Sequence, residues 1–198
     1  MTREHGPRIA WSQQWVDNGQ IADSLKRAVV ASEDAGFVDH SGVEWDSIER
    51  AWERNQRAQT VQEGRPAKPG AKPRPIKLVG GSTITQQLAK NLFLSGERTL
   101  PRKAQEFVLT WTLEALLGKR RILEIYLNSV EWGEGVFGAQ AAARHYHRVD
   151  AARLGPTAAA HLAVLLPAPK RFERNPGSAY MSGRTATIAA RMGDVELP

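Results

Sequence analysis

Apolar residues recur along this chain at helical spacing, and no run alternates convincingly as a strand would. Leu25, Ala28, Val29 and Ser32 mark one face of a helix that starts from Asp23 or Ser24 as a cap and ends near Gly36. Trp45, Ile48 and Trp52 predict a second helix over residues 46–57. Ile84, Leu88 and Leu92, at i, i+4 and i+8, form the inward stripe of a third, which Ser82 or Thr83 can cap after the pair Gly80 and Gly81. On that reading Gln86, Lys90 and the hydroxyls of Ser82 and Thr83 fall on the outer side. Pro101 opens a long helix to Leu117, with Ala104, Phe107, Val108, Trp111 and Ala115 inward and Gly118 as its stop. Residues 122–127 are almost continuously apolar, as expected of a central helix buried on most sides. The stretch GEGVFG reads as a hinge-like loop, and three further helical patterns cover 139–147, 156–166 and 181–192, with Pro167 and Pro169 separating the last two. The pattern predicts a mainly α chain with no internal repeat.

Composition narrows this to a soluble-type globular domain: 198 residues, 41% hydrophobic and 24% charged, enough for one substantial core and short for two. The net charge of +6 changes the picture less than it first suggests. Arg65, Lys68, Lys72, Arg74 and Lys77 all fall in the proline-rich tract 64–77, and without those five cations the chain carries +1. A near-neutral body argues against nucleic-acid binding. The tract itself, with four prolines and two glycines, excludes a regular element and reads as a loop or extended cover. There is no cysteine, hence no disulfide or thiol chemistry. No run approaches the roughly 18 apolar residues of a membrane span, and residues 1–17 lack the apolar core of a signal peptide. Residues 1–20 read as an irregular lead-in to a domain over 21–198.

Three constellations could carry chemistry. In EDAGFVDHSG, residues 33–42, Glu33 ends a helix above Phe37, followed by a turn through His40. A carboxylate at the negative end of a helix and partly desolvated has its pKa lifted above the usual value of roughly 4.3, which suits a general base. Alone, the same string describes solvated Glu33 and Asp34 with a hydrogen-bonded turn histidine. In PRKAQE, residues 101–106, Arg102 and Lys103 lie one helical turn from Glu106. Alone these are surface ion pairs of little energy; with Lys90 and Arg98 they make four cations beside one acid, a clamp for a pyrophosphate. In KRRILEIYLN, residues 119–128, Glu124 and Asn128 are placed to satisfy buried backbone groups.

Together these strings resemble the peptidoglycan glycosyltransferase family, which polymerises glycan strands from lipid II, and within it the monofunctional biosynthetic transglycosylases. The motifs E-D-x-x-F-x-x-H-x-G, G-G-S-T-I-T-Q-Q-x-x-K-N, R-K-x-x-E and K-x-x-I-L-E-x-Y-L-N stand here in the family's order, over about residues 25–176. The resemblance implies a single lysozyme-like helical domain, Glu33 as catalytic base and Glu106 as a second essential acid. It implies substrate contacts at Asp34, Phe37, His40, Ser82, Thr83, Gln86, Gln87, Lys90, Asn91, Arg98, Arg102 and Lys103, with Lys90, Arg98, Arg102 and Lys103 on the donor's pyrophosphate. Glu33 then takes the proton from the 4-hydroxyl of lipid II, and the anomeric carbon of the undecaprenyl-pyrophosphate-linked glycan is attacked with inversion to a β-1,4 link. A divalent cation, Mg²⁺ in the family, is implied without identifiable ligands. Also implied are a membrane surface, cell-wall synthesis or division proteins as partners, and action at the periplasmic face of the inner membrane. Family members carry an N-terminal membrane span that this chain lacks, so a missing anchor is expected ahead of the lead-in. A lysozyme-like glycan-cleaving enzyme and an idle lipid II-binding scaffold are the rival readings. The cation group speaks against the first, since a hydrolase has no pyrophosphate to hold, and the presence of Glu33 and Glu106 against the second.

Overall fold

A computed structural model describes residues 11–63, 81–95 and 99–198. In chain order the elements are β1 (Ser12–Gln13), α1 (Asp23–Glu33), α2 (Trp45–Glu63), α3 (Ile84–Phe93), α4 (Leu100–Leu116), α5 (Lys119–Ser129), β2 (Glu131–Gly133), β3 (Val136–Phe137), α6 (Ala139–Ala142), α7 (Pro156–Leu165), α8 (Pro169–Phe172) and α9 (Ala179–Arg191). The chain is mainly α and forms one helical domain, as the periodicity and the family resemblance implied.

The core is built where helices present apolar side chains on more than one side. Nearly every residue of α7 from Ala159 onward is buried, and its alanines let α1 and α9 approach closely. Leu25, Ala28 and Val29 of α1 pack there with Met181 and Ile188 of α9, and Ile122, Leu123, Tyr126 and Leu127 of α5 join the same cluster. This central position of α5 agrees with its apolar run. Asn128, fully buried at its end, donates to the carbonyls of Val16 (2.9 Å) and Glu124 (2.9 Å) and accepts from the N–H of Val16 (3.0 Å). It thus satisfies buried backbone as expected, whereas the carboxylate of Glu124 pairs with Arg121 at 3.0 Å.

Two expectations about irregular segments are corrected. GEGVFG is no hinge: it forms the β2–β3 hairpin, antiparallel across Glu131–Phe137, with Gly135 and Gly138 at positive φ. The lead-in is partly ordered too, because β1 adds to β3 in parallel, Ser12 opposite Val136, giving a sheet in the order β1-β3-β2. Strands of two or three residues are too short for alternation to be read from sequence. Likewise the pattern over 139–147 is α-helical only to Ala142 and continues as a π-helical turn, Ala143–His147.

The long helices α2 and α4 correct the pattern more sharply. α2 extends to Glu63, beyond the expected residue 57, and Trp45 and Trp52 are each 62% exposed. On α4 the stripe expected inside faces out: Ala104 and Ala115 are exposed, Phe107 is half-buried, Val108 is 60% and Trp111 50% exposed, while Glu106 and Thr110 are the buried residues. The spacing was right and the face inverted, since periodicity marks a stripe without saying what covers it. Trp45, Phe107 and Trp111 form an aromatic row there, with ring centroids 6.0 and 6.1 Å apart.

Candidate active site

Glu33 ends α1, so the helix that anchors the core also aims its last side chain. The carboxylate is half-buried, accepting from the amide of Gln87 on α3 (3.0 Å) and from the Ser32 hydroxyl (3.2 Å). Gln87 is itself oriented by the hydroxyl of Tyr126 on α5, which donates to its carbonyl at 2.9 Å. Burial pushes the Glu33 carboxyl above its ordinary value. The two hydrogen bonds and the charge of Arg184 oppose that shift, and the charge of Asp34 adds to it. The Tyr126 hydroxyl is held well above its ordinary value by burial and by Glu33 and Asp34, so it stays a donor. Glu33, Asp34, Glu44, Ser47, Arg54, Gly81, Ser82 and Thr83 line one cleft.

The residues after Glu33 wire two helices together. Asp34 is buried, its Oδ1 2.8 Å from His40 Nε2 and its Oδ2 accepting the Ile84 N–H, at the start of α3, at 2.9 Å. His40 Nδ1 accepts from the Gly42 N–H (3.1 Å), which leaves Nε2 as the donor to Asp34. Gly42, at φ 84°, sits where a Cβ would lie 2.6 Å from Thr110 and 2.8 Å from Glu114, and its carbonyl accepts the Thr83 hydroxyl at 2.6 Å. Thr83 in turn caps α3, accepting from Gln86 N–H (3.2 Å), while the Gln86 side chain accepts the Thr83 N–H (3.1 Å). Phe37 lies fully buried beneath, with Lys119 Nζ 4.6 Å from its ring centre.

Thr83 and Gln86 were therefore expected on the outer face and are buried, their polar atoms closing the helix start; Leu92, expected inside, is 45% exposed. Ser82 and Gln87 are half-buried, and Lys90 and Asn91 are exposed on the later turns of α3. On α4, Glu106 is buried and bound by its helical neighbours, Lys103 at 2.5 Å and Arg102 at 3.8 Å. Arg102 also donates to the Ser95 carbonyl at 3.3 Å. Arg98 and the tract 64–77 lie outside the described residues. Among the described residues no three His, Cys, Asp or Glu side chains gather as a metal site. Sequence reading passed over Tyr126, Arg184 and the α2 residues Glu44, Ser47 and Arg54. A tyrosine amid the apolar run of α5 was a usable signal, because its hydroxyl had to find a buried partner; the others become neighbours of Glu33 only through tertiary packing.

A carboxylate lifted by burial, oriented by an amide and set in a polar cleft on a helical domain is an arrangement that suits acid–base chemistry. The chain belongs to the transglycosylase family, whose pattern matches residues 5–66 and 74–193, and it is a glycosyltransferase. It is similar to the biosynthetic peptidoglycan transglycosylases of Bordetella pertussis, 53% identical over 99% of this chain and 76% of that protein, and of Burkholderia pseudomallei, 53% identical over 97% and 69%. That of Bordetella avium is 48% identical over 99% of this chain and 77% of its own.

Proposed function

We propose that the enzyme polymerises peptidoglycan glycan strands at a membrane of the bacterial cell envelope, with Glu33 as the general base. The observation that carries this is the Tyr126–Gln87–Glu33 series, which holds an acid of raised pKa in the cleft wall. Glu33 takes the proton from the 4-hydroxyl of lipid II. That oxygen then forms a bond to the anomeric carbon of the growing glycan as the bond to undecaprenyl pyrophosphate breaks, inverting to a β-1,4 link. Lys90, Arg102 and Lys103 receive the departing pyrophosphate, Glu106 holding the last two in place from beneath. A divalent cation, Mg²⁺ by the family resemblance, belongs to the same proposal.

The acceptor and donor tails stay in a bilayer, and the outward apolar face of α2 and α4 gives the domain a surface for it. Trp45, Trp52, Val108, Trp111 and Leu116 are all at least half exposed, more than a solvated surface normally gathers. No described helix is long and apolar enough to cross a membrane. Contacts with cell-wall synthesis or division proteins belong to the same proposal and have no surface assigned to them.

Incubation with labelled lipid II and Mg²⁺ tests the reaction. The wild type is expected to make polymer that lysozyme digests, and Glu33→Gln, which keeps the shape but cannot take a proton, to lose roughly 10² to 10⁴ in rate while staying folded. Polymer formation by Glu33→Gln at the wild-type rate would remove Glu33 from the mechanism. Cleavage of preformed glycan without synthesis would favour a hydrolase.

A further inference from the structure

Three arginines of α2 differ in what they face. Arg50 pairs with Glu44 at 3.1 Å and Arg57 with Glu53 at 3.5 Å, whereas Arg54 has no ion pair among the described residues. Arg54 lines the cleft that holds Glu33, as the one cation among its described lining residues. The other lining acids are already engaged: Asp34 by His40 and the Ile84 N–H, Glu44 by Arg50 and the Ser47 hydroxyl. Its position is fixed by the packing of α2. A Cβ on Gly81 would lie 2.7 Å from the Ser47 carbonyl oxygen, so glycine there lets the α2 backbone rest against the residues just ahead of α3. Ala51 is buried one turn on, and Arg54 follows on the next turn of that side.

The reaction proposed above brings two pyrophosphates to one enzyme, the donor's, which leaves, and the acceptor's, which remains a disaccharide away from the attacking hydroxyl. Lys90, Arg102 and Lys103 belong to α3 and α4 and do not line the cleft shared by Glu33 and Arg54. We propose that Arg54 binds the pyrophosphate of the acceptor and so sets its sugar over Glu33, leaving the donor's pyrophosphate to the α3–α4 cations. This rests on the glycan-polymerising reading. A guanidinium is well suited to that role, because its planar fork grips phosphate oxygens in pairs.

The test is an extension assay in which a preformed lipid-pyrophosphate tetrasaccharide is the donor and labelled lipid II the acceptor, each varied in turn. Arg54→Ala is expected to raise the acceptor KM by about tenfold or more, the loss of one charge-assisted hydrogen bond, with the donor KM and kcat little changed. Arg54→Lys should recover part of that, and melting curves check that both variants fold. An unchanged acceptor KM in Arg54→Ala, or a rise in the donor KM instead, would overturn the proposal. So would restoration of wild-type behaviour in Arg54→Ala on lipid II lacking its stem peptide, which would assign the arginine to a peptide carboxylate. Wild-type protein that makes no polymer would sink the polymerase reading and this inference with it; polymer with an insensitive Arg54 sinks this inference alone.

Discussion

Between Tyr126 and Glu33 stands Gln87, accepting at 2.9 Å from the one and donating at 3.0 Å to the other. The proposed role of Glu33 as general base needs the ionised form, so on that proposal activity is expected to fall on the acid side as the pH drops through its folded-state value, which burial raises above the ordinary one. The Gln87 amide works against that rise by stabilising the carboxylate. Gln87→Leu is therefore expected to move the acid limb of kcat/KM to higher pH, and Tyr126→Phe, which frees the amide to turn, to move it the same way by less. A pH–rate profile checks both; an acid limb that stays in place would show that Glu33 is not the group titrating. Glu106 plays a different part, because its buried carboxylate is met by Lys103 and Arg102. Glu106→Gln should leave Lys103 without its anchor and raise KM for the lipid-pyrophosphate donor.

At the scale of elements, the start of α3 is where the cleft is held together. Thr83 closes a capping box with Gln86 and also reaches the Gly42 carbonyl, so Thr83→Ala is expected to cost about 0.5 to 2 kcal/mol and lower the melting temperature. Gly81→Ala should do more to activity than to stability, since a methyl 2.7 Å from the Ser47 carbonyl pushes α2, and with it Arg54, off the cleft wall. Comparing kcat/KM with melting temperature separates the two; equal loss of both would mean that α2 is merely part of the core. The helix α4 carries the opposite lesson. Its apolar stripe of Val108, Trp111 and Ala115 faces out because the other side is committed to Glu106, Thr110 and contacts with α3.

For the whole molecule, that outward stripe is the surface proposed above for a bilayer. Replacing Val108 and Trp111 together by glutamate puts two charges on the apolar face without touching the core. It is expected to weaken co-sedimentation with lipid vesicles while the melting temperature holds. Exposed substitutions of this kind normally change stability by no more than about 0.5 kcal/mol. Vesicle binding unaffected by both charges would mean that attachment lies elsewhere, with the basic tract 64–77 as the next candidate.

The helices are local matters, which is why much was legible in the residues alone: Thr83 caps α3 as expected, whereas α1 is preceded by Ala22, with Asp23 and Ser24 already inside the helix rather than capping it. The spacing of Leu25, Ala28 and Val29, the breaks at Gly118 and Pro167, and the buried run of α5 each follow from contacts within a few turns, and the structure agrees with them. The four motif strings likewise placed the chain in its family. What tertiary structure alone decided is which face of each helix is covered. Periodicity draws the same stripe whether it meets a core or open solvent, and so Trp111 turned outward while Gln86 and Glu106 turned in. It also decided the company of Glu33: Gln87 stands 54 residues away and Tyr126 lies on another helix again, and no spacing rule reaches across that distance. The acid was visible in the sequence, and the groups that set its charge came to it only through the packing of α1, α3 and α5.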